Sequence, residues 1–240
     1  MNKHQLASKI CGSRNKPYSN MVKIFIPVIM IVIIAVFILL QYQHTSTARL
    51  PDRWKGEKIE RFKSCADKNG NGIDDQMDIL NGALNYISAM PKYKSKYYNS
   101  GYPNDEYGVC TDVVAFDMKA AGYDLMDMVA KDIATHPDNY CIRQPDINID
   151  FRRVRNLYIF FKNNAQELTT DVLDIDKWQG GDIVIFKNHI GIVSDRRNKN
   201  GVTYVIHHSN PLQKSYEQDI LQKRNDIIGH YRWISSDCDK

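Results

Sequence analysis

From residue 24 to residue 40 the chain reads "IFIPVIMIVIIAVFILL", 17 positions without a charge. No other feature limits the fold as strongly, because such a run must be covered by protein or by lipid. As a helix rising about 1.5 Å per residue it spans roughly 26 Å, close to the thickness of a bilayer core. Ahead of it lie Lys3, Lys9, Arg14, Lys16 and Lys23, and no acidic residue. That bias predicts a cytosolic basic tail over 1–23, a single-pass membrane anchor over 24–40, and an extracellular remainder. The competing expectation is a cleaved signal sequence. "STA" at 46–48 offers a small-residue site, with secretion after cleavage near Ala48, although the apolar run exceeds the usual ~7–15 residues. Cys11 precedes the run and so is excluded as a lipoprotein acceptor.

The tail also carries the net charge. The whole chain holds 32 basic and 28 acidic residues. Without the five tail cations the balance is 27 against 28, or −1, so the exported part has no basic excess to suggest a nucleic-acid partner. Four cysteines follow the tail: Cys65, Cys110, Cys141 and Cys238. An oxidising exterior permits two disulfides in any of three pairings. If Cys110 stays free, one pair and an odd thiol remain among Cys65, Cys141 and Cys238. The absence of a C-x-x-C pair argues against structural zinc.

Residues 41–53 are polar and unpatterned and read as a stalk. Residues 54–91 read as helix, loop, helix: one helix over 57–66, with Ile59, Phe62 and Ala66 on one side, and another over 76–90. Pro91 ends the second. A tyrosine-rich loop over 92–107 opens the remaining domain, 92–240. Helical patterns follow over 110–122, 123–134 and 153–165. The last third changes character. Short β-branched runs over 181–186, 189–195, 202–208 and 227–233 are separated by turn signals, so helices precede an antiparallel sheet in an α+β order.

Between the first two predicted helices, "DKNGNGIDDQMD" places Asp67, Asn69, Asn71, Asp75 and Asp78 at the oxygen-bearing positions of an EF-hand-like loop. Gly72 takes the sharp-turn position, and Ile73 the position that offers a backbone carbonyl. This order predicts a structural calcium ion. The departure is Asp78, a shorter arm than the usual Glu; the alternative is a solvated Asn/Gly turn.

Cys110 follows Gly108-Val109 and precedes an apolar helical run, which puts it at a helix N-terminus. There the dipole and free N–H groups favour a thiolate. A nucleophile also needs a base and a group to orient that base. His189 opens one predicted strand and His207 closes the next, so a hairpin sets them side by side. His208 points to the opposite strand face and receives no catalytic role. The alternatives are a small buried thiol and ordinary surface histidines. Farther along, "PDINIDFRRVRNL" is too polar for a core. Arg152 or Arg153 suits clamping a carboxylate, or an internal ion-pair knot with Asp150. His230 and Arg232 of "GHYR" are expected on the outward face of a strand.

The order of Cys110 on a helix, then "GDIVIF…HIGIV" and "YVIHHS", resembles the NlpC-type cysteine peptidases of bacterial cell walls, a papain-like superfamily. The resemblance implies a papain-like α+β fold, with N-terminal helices packed on a small antiparallel sheet, in addition to the transmembrane helix. It also implies Cys110 as nucleophile, His189 as base and His207 as the orienting residue, acting on a peptidoglycan stem peptide or another amide. A denser resemblance, over about residues 70–233, is to domain-of-unknown-function family 1287. It is carried by "GVCTD", "PDINIDFRRVRNL", "HIGIVSD", "IHH" and "GHYR". NlpC-type enzymes usually show "D-C-S" at the nucleophile, where this chain has "V-C-T" with Asp112 two places on. Asp112, Arg152 and Arg153 are therefore the substrate-binding candidates. Acyl transfer through the same thioester is one alternative. A non-catalytic, calcium-stabilised binding module with Cys110 in a disulfide is the other.

Overall fold

A computed structural model describes residues 18–41 and 45–235, with side chains for 23–39 and 45–235. The chain divides into two units, Met1–Tyr42 and Gln43–Lys240. The described part of the first is helix α1, Tyr18–Gln41. Among the described residues no helix is long and apolar enough to cross a membrane. This corrects the expected transmembrane anchor over 24–40. The uncharged run of 17 residues, rising about 26 Å as a helix, stands at the short end of the ~17–25 residues that a spanning helix uses. The rest of the expected basic tail, residues 1–17, lies outside the described residues.

In the second unit the helices are α2 Asp75–Ser88, α3 Cys110–Ala120, α4 Leu125–Thr135, α5 Pro137–Tyr140, α6 Ile147–Asp150 and α7 Val154–Asn164. The strands are β1 Lys92–Tyr93, β2 Tyr107–Gly108, β3 Gln166–Glu167, β4 Ile183–Phe186, β5 His189–Arg197, β6 Thr203–Ile206, β7 Glu217–Gln218 and β8 Ile227–Arg232. Six of them form one sheet in the order β3-β8-β4-β5-β6-β7, with every neighbouring pair antiparallel. The papain-like arrangement with a small sheet gives way to seven described helices and this six-stranded antiparallel sheet. The sheet widened because the two-residue strands β3 and β7 carry no periodicity to read.

The sheet is covered on both faces, which is why β4 reads as the unbroken apolar run "IVIF". Ile183 and Ile185 join Ile190, Ile192 and Ile206 in the core under α2, α3, α4 and α7. Val184 and Phe186 point the other way, to a second cluster with Trp178, Val193 and Val205.

Two further expectations are corrected. Residues 57–66 form no helix: Phe62 N–H donates to Gln179 Oε1 (3.1 Å) and Ser64 N–H to Asp74 Oδ1 (3.0 Å). Distant side-chain acceptors thus take the donors that a weakly amphipathic helix would have used. The described part of the expected stalk, 45–53, instead lies along the β7 edge. Thr45 Oγ1 donates to Gln213 O (3.0 Å), Ser46 bridges Ser215, and Arg49 Nη2 reaches Glu217 Oε1 (2.9 Å). An edge strand and a buried carboxylate both need such partners.

Candidate functional site

Cys110 is the first residue of α3, and its helix is capped without a capping side chain at Val109. Asp112 substitutes from inside the helix, its Oδ2 accepting the Val109 N–H at 2.8 Å. Asp112 is fully buried and held bidentately by Arg152, Nε to Oδ1 at 2.6 Å and Nη2 to Oδ2 at 2.9 Å. Arg152 Nη1 also donates to Lys96 O (2.7 Å). Asp112 and Arg152 are therefore internal supports of the helix start and not substrate ligands, which corrects that expectation. Burial holds the Asp112 carboxyl above the usual range even against the Arg152 guanidinium. Arg153 is the half-exposed one, paired with Asp150 at 3.2 Å. The expected knot thus exists, split between two partners. Upstream, Gly108 makes room for Tyr86, since a Cβ there would sit 2.0 Å from the Tyr86 hydroxyl oxygen.

The partly buried Cys110 thiol is free, as is the exposed Cys141, whereas Cys65 is disulfide-bonded. Cys238 lies outside the described residues. Burial pushes the Cys110 thiol up to about 11. Backbone N–H groups of Ile190, Thr111 and Cys110 itself oppose that shift, and nearby Asp112 adds to it. Ile190 directly follows His189, but its side chain joins the core on which Cys110 packs, whereas His189 stacks on Phe186 of the second cluster. Among the described residues no hydrogen bond joins the thiol to His189 itself.

The two histidines do meet: His189 Nε2 lies 2.8 Å from His207 Nδ1. His207 Nε2 then lies 3.1 Å from Gln218 Oε1 on β7. Gly191 makes room for this approach, because a Cβ on it would stand 2.7 Å from Val205 Cγ1 and 3.1 Å from His207 Cβ. Burial, with His207 and Arg224 close by, lowers His189 to about 3. Burial likewise lowers His207 to about 4, although its bond to Gln218 opposes the shift. Both rings are neutral at neutral pH. His208 occupies the other strand face, buried against Tyr86, Tyr93 and Tyr216, and among the described residues neither of its ring nitrogens has a hydrogen-bond partner.

"GHYR" departs furthest from its expected outward placement. His230 is fully buried and Arg232 nearly so, and both serve Asp182. Arg232 donates to Asp182 Oδ1 and Oδ2, each at 2.8 Å, and His230 Nε2 stands 3.1 Å from Oδ2. Gln76 Nε2 and the Gln179 N–H complete the carboxylate's shell. The Trp178 indole stacks on His230 at 3.7 Å between centroids.

In the 67–78 loop, the Asn69 and Asn71 amides converge on the Asp78 carboxylate at 2.7–3.1 Å. Asp67 accepts the Asn71 and Gly72 N–H groups, and Ile73 N–H donates to Asn71 Oδ1. Asp75 turns away to the Lys68 N–H and the Tyr123 hydroxyl. No group of three or more His, Cys, Asp or Glu that could hold a metal occurs among the described residues.

An α+β domain with a free cysteine at a helix start and a bonded histidine pair on neighbouring strands is the class that this geometry defines. The chain belongs to the family described as "Domain of unknown function (DUF1287)", whose model matches residues 80–233. It is also similar to "Uncharacterized protein YijF" of Escherichia coli (strain K12), 34% identical over 169 residues, which is 65% of this chain and 80% of that protein. No solved structure matches it.

Proposed function

We propose that the chain is an exported cysteine amidase or peptidase in which Cys110 is the nucleophile, His189 the base and His207 the residue that orients it. One observation carries the reading: His189, bonded to His207 at 2.8 Å, directly precedes Ile190, whose backbone lies near enough to the Cys110 thiol to oppose its upward shift. His189 takes the thiol proton as the sulfur adds to the amide carbonyl, and returns it to the leaving amine as the C–N bond breaks. Water then cleaves the thioester. The Cys110 N–H at the helix start is an oxyanion donor. The reading requires that substrate binding bring the thiol and the base into hydrogen-bond reach. The substrate class, a peptidoglycan stem peptide, rests on the resemblance to the NlpC-type enzymes and not on a built pocket. The disulfide at Cys65 supports export to an oxidising compartment.

Acyl transfer is the second reading, favoured by Tyr86 and Tyr93, which lie close enough to Cys110 for its charge to bear on them. Rings in that position would screen a thioester from water. Both readings are tested by mass spectrometry of muropeptides incubated with wild type and Cys110→Ala, with and without an added amine. Wild-type cleavage that is absent in Cys110→Ala supports hydrolysis, and an amine-capped product supports transfer. Equal product from the variant would sink the nucleophile, and no product at all would remove the wall peptide as substrate.

A further inference from the structure

We infer that Gln218 is a positioning residue that selects the tautomer of the proposed base, an inference resting on the Cys–His reading above. A neutral imidazole has one N–H and one lone pair, so bonding at one nitrogen dictates the other. Gln218 Oε1 can only accept, so the 3.1 Å contact requires a proton on His207 Nε2. His207 Nδ1 is then the lone pair, and the 2.8 Å bond requires His189 Nε2 to donate. His189 is left with a bare Nδ1, the form able to take a proton from a thiol. Reversing the Gln218 amide reverses every member: His207 would donate from Nδ1, and His189 would hold its proton on Nδ1 and could not act as the base. One amide orientation therefore separates a competent site from an incompetent one.

The strand that carries Gln218 is only two residues long, and it is held from outside. Glu217 is buried at 1% exposure and receives Arg49 Nη2 (2.9 Å), Ser194 Oγ and the Leu50 N–H. The segment just after the first unit thereby fixes the backbone from which Gln218 reaches His207. Its backbone is set in turn by pairing with β6, Gln218 opposite Val205.

Long-range 1H–15N spectra of the histidine rings at pH 7.5 read the tautomers directly, in wild type, Gln218→Met and Gln218→Glu. The expected result is Nε2–H on both His189 and His207 in wild type and in Gln218→Glu, which keeps an acceptor. In Gln218→Met, which lacks one, the two tautomers should mix. In parallel, alkylation of Cys110 by iodoacetamide should slow about tenfold in Gln218→Met and recover in Gln218→Glu, the scale of one hydrogen bond. A proton on His189 Nδ1 in wild type, or identical tautomers in wild type and Gln218→Met, overturns the assignment. Alkylation unchanged in His189→Ala would instead overturn the Cys–His reading, whatever the tautomers. The two failures are thus distinguishable.

Discussion

Two histidine-bearing networks are built on the same sheet, and they differ in whether their hydrogen bonds close. Around Asp182, the carboxylate is saturated by Arg232, His230, Gln76 and Gln179, and His230 Nδ1 bonds Thr169 O at 2.7 Å. Nothing is left over for a ligand. The run Gln218–His207–His189, by contrast, ends on a nitrogen with no hydrogen bond among the described residues. A closed buried network stabilises one conformation, whereas an open-ended one leaves a group able to exchange a proton. "GD" and "GHYR" belong to the first network, and "GVCTD", "HIGIV" and "IHH" to the second.

Removing one member of each network separates the two roles. Cys110→Ala is expected to lose all thiol-dependent product while its unfolding free energy in urea stays within about 1 kcal/mol of wild type, since a small side chain replaces another at a partly open helix start. Asp182→Ala is expected to do the reverse. It strands a buried guanidinium and a stacked imidazole and should cost about 3–5 kcal/mol in urea unfolding. If Asp182→Ala kept wild-type stability, the closed network would not be structural and the contrast would collapse. Asp112→Ala falls between them. It frees the buried Arg152 and uncaps α3, so it should cost on the order of 3 kcal/mol and also slow Cys110 alkylation.

How far these two networks could be read from the chain differs for physical reasons. Strands β4, β5 and β8 and helices α2, α3, α4 and α7 were legible because their apolar residues recur with the period of the element. His189 beside His207 followed from two adjacent strands joined by a short turn. Gln218 was not legible: its strand has two residues, and nothing near it in sequence marks a site. Asp112 was misread as a substrate contact because its partner Arg152 stands 40 positions away. Polar residues in "GHYR" suggested an outward face, but the second cluster around Trp178 covers that face of the sheet as well. Residues 57–66 had helical spacing yet lost their N–H groups to Asp74 and Gln179, acceptors that no local pattern reveals.

A third test uses pH, and its sign is opposite to that of a histidine raised by a carboxylate partner. His189 and His207 are lowered, to about 3 and about 4, from an unfolded value near 6.5. Between those limits the unfolded chain binds more protons, so stability is complete above about pH 6.5 and falls as pH drops toward 4. A His207→Gln variant should flatten that part of the urea-midpoint profile. Cys110 adds the opposite edge. Raised to about 11, its thiol should alkylate faster with every step in pH through 9, where an ordinary cysteine levels off. A plateau near pH 7 would mean that the thiol and base already share an ion pair at rest, and that the open end of the network is closed in solution.

The smallest effect is expected from calcium, and it probes a third region lying between the two cases. We propose that the 67–78 loop takes a structural calcium ion. Asn69, Asn71 and Asp78 already converge, and turning the two amides over would present oxygens where N–H groups now meet the carboxylate. Asp75 would not join them, because it is buried and committed to Lys68 N–H and Tyr123. With fewer ligands than a full EF-hand loop, and an apo form closed by its own hydrogen bonds, binding should be weak. Millimolar calcium should raise the melting temperature by only about 2–4 °C, the shift that ~1 kcal/mol gives in a domain of this size. Asp78→Asn should abolish that rise. An unchanged melting temperature across calcium and EDTA would place the loop with Asp182, as a network satisfied by the protein alone.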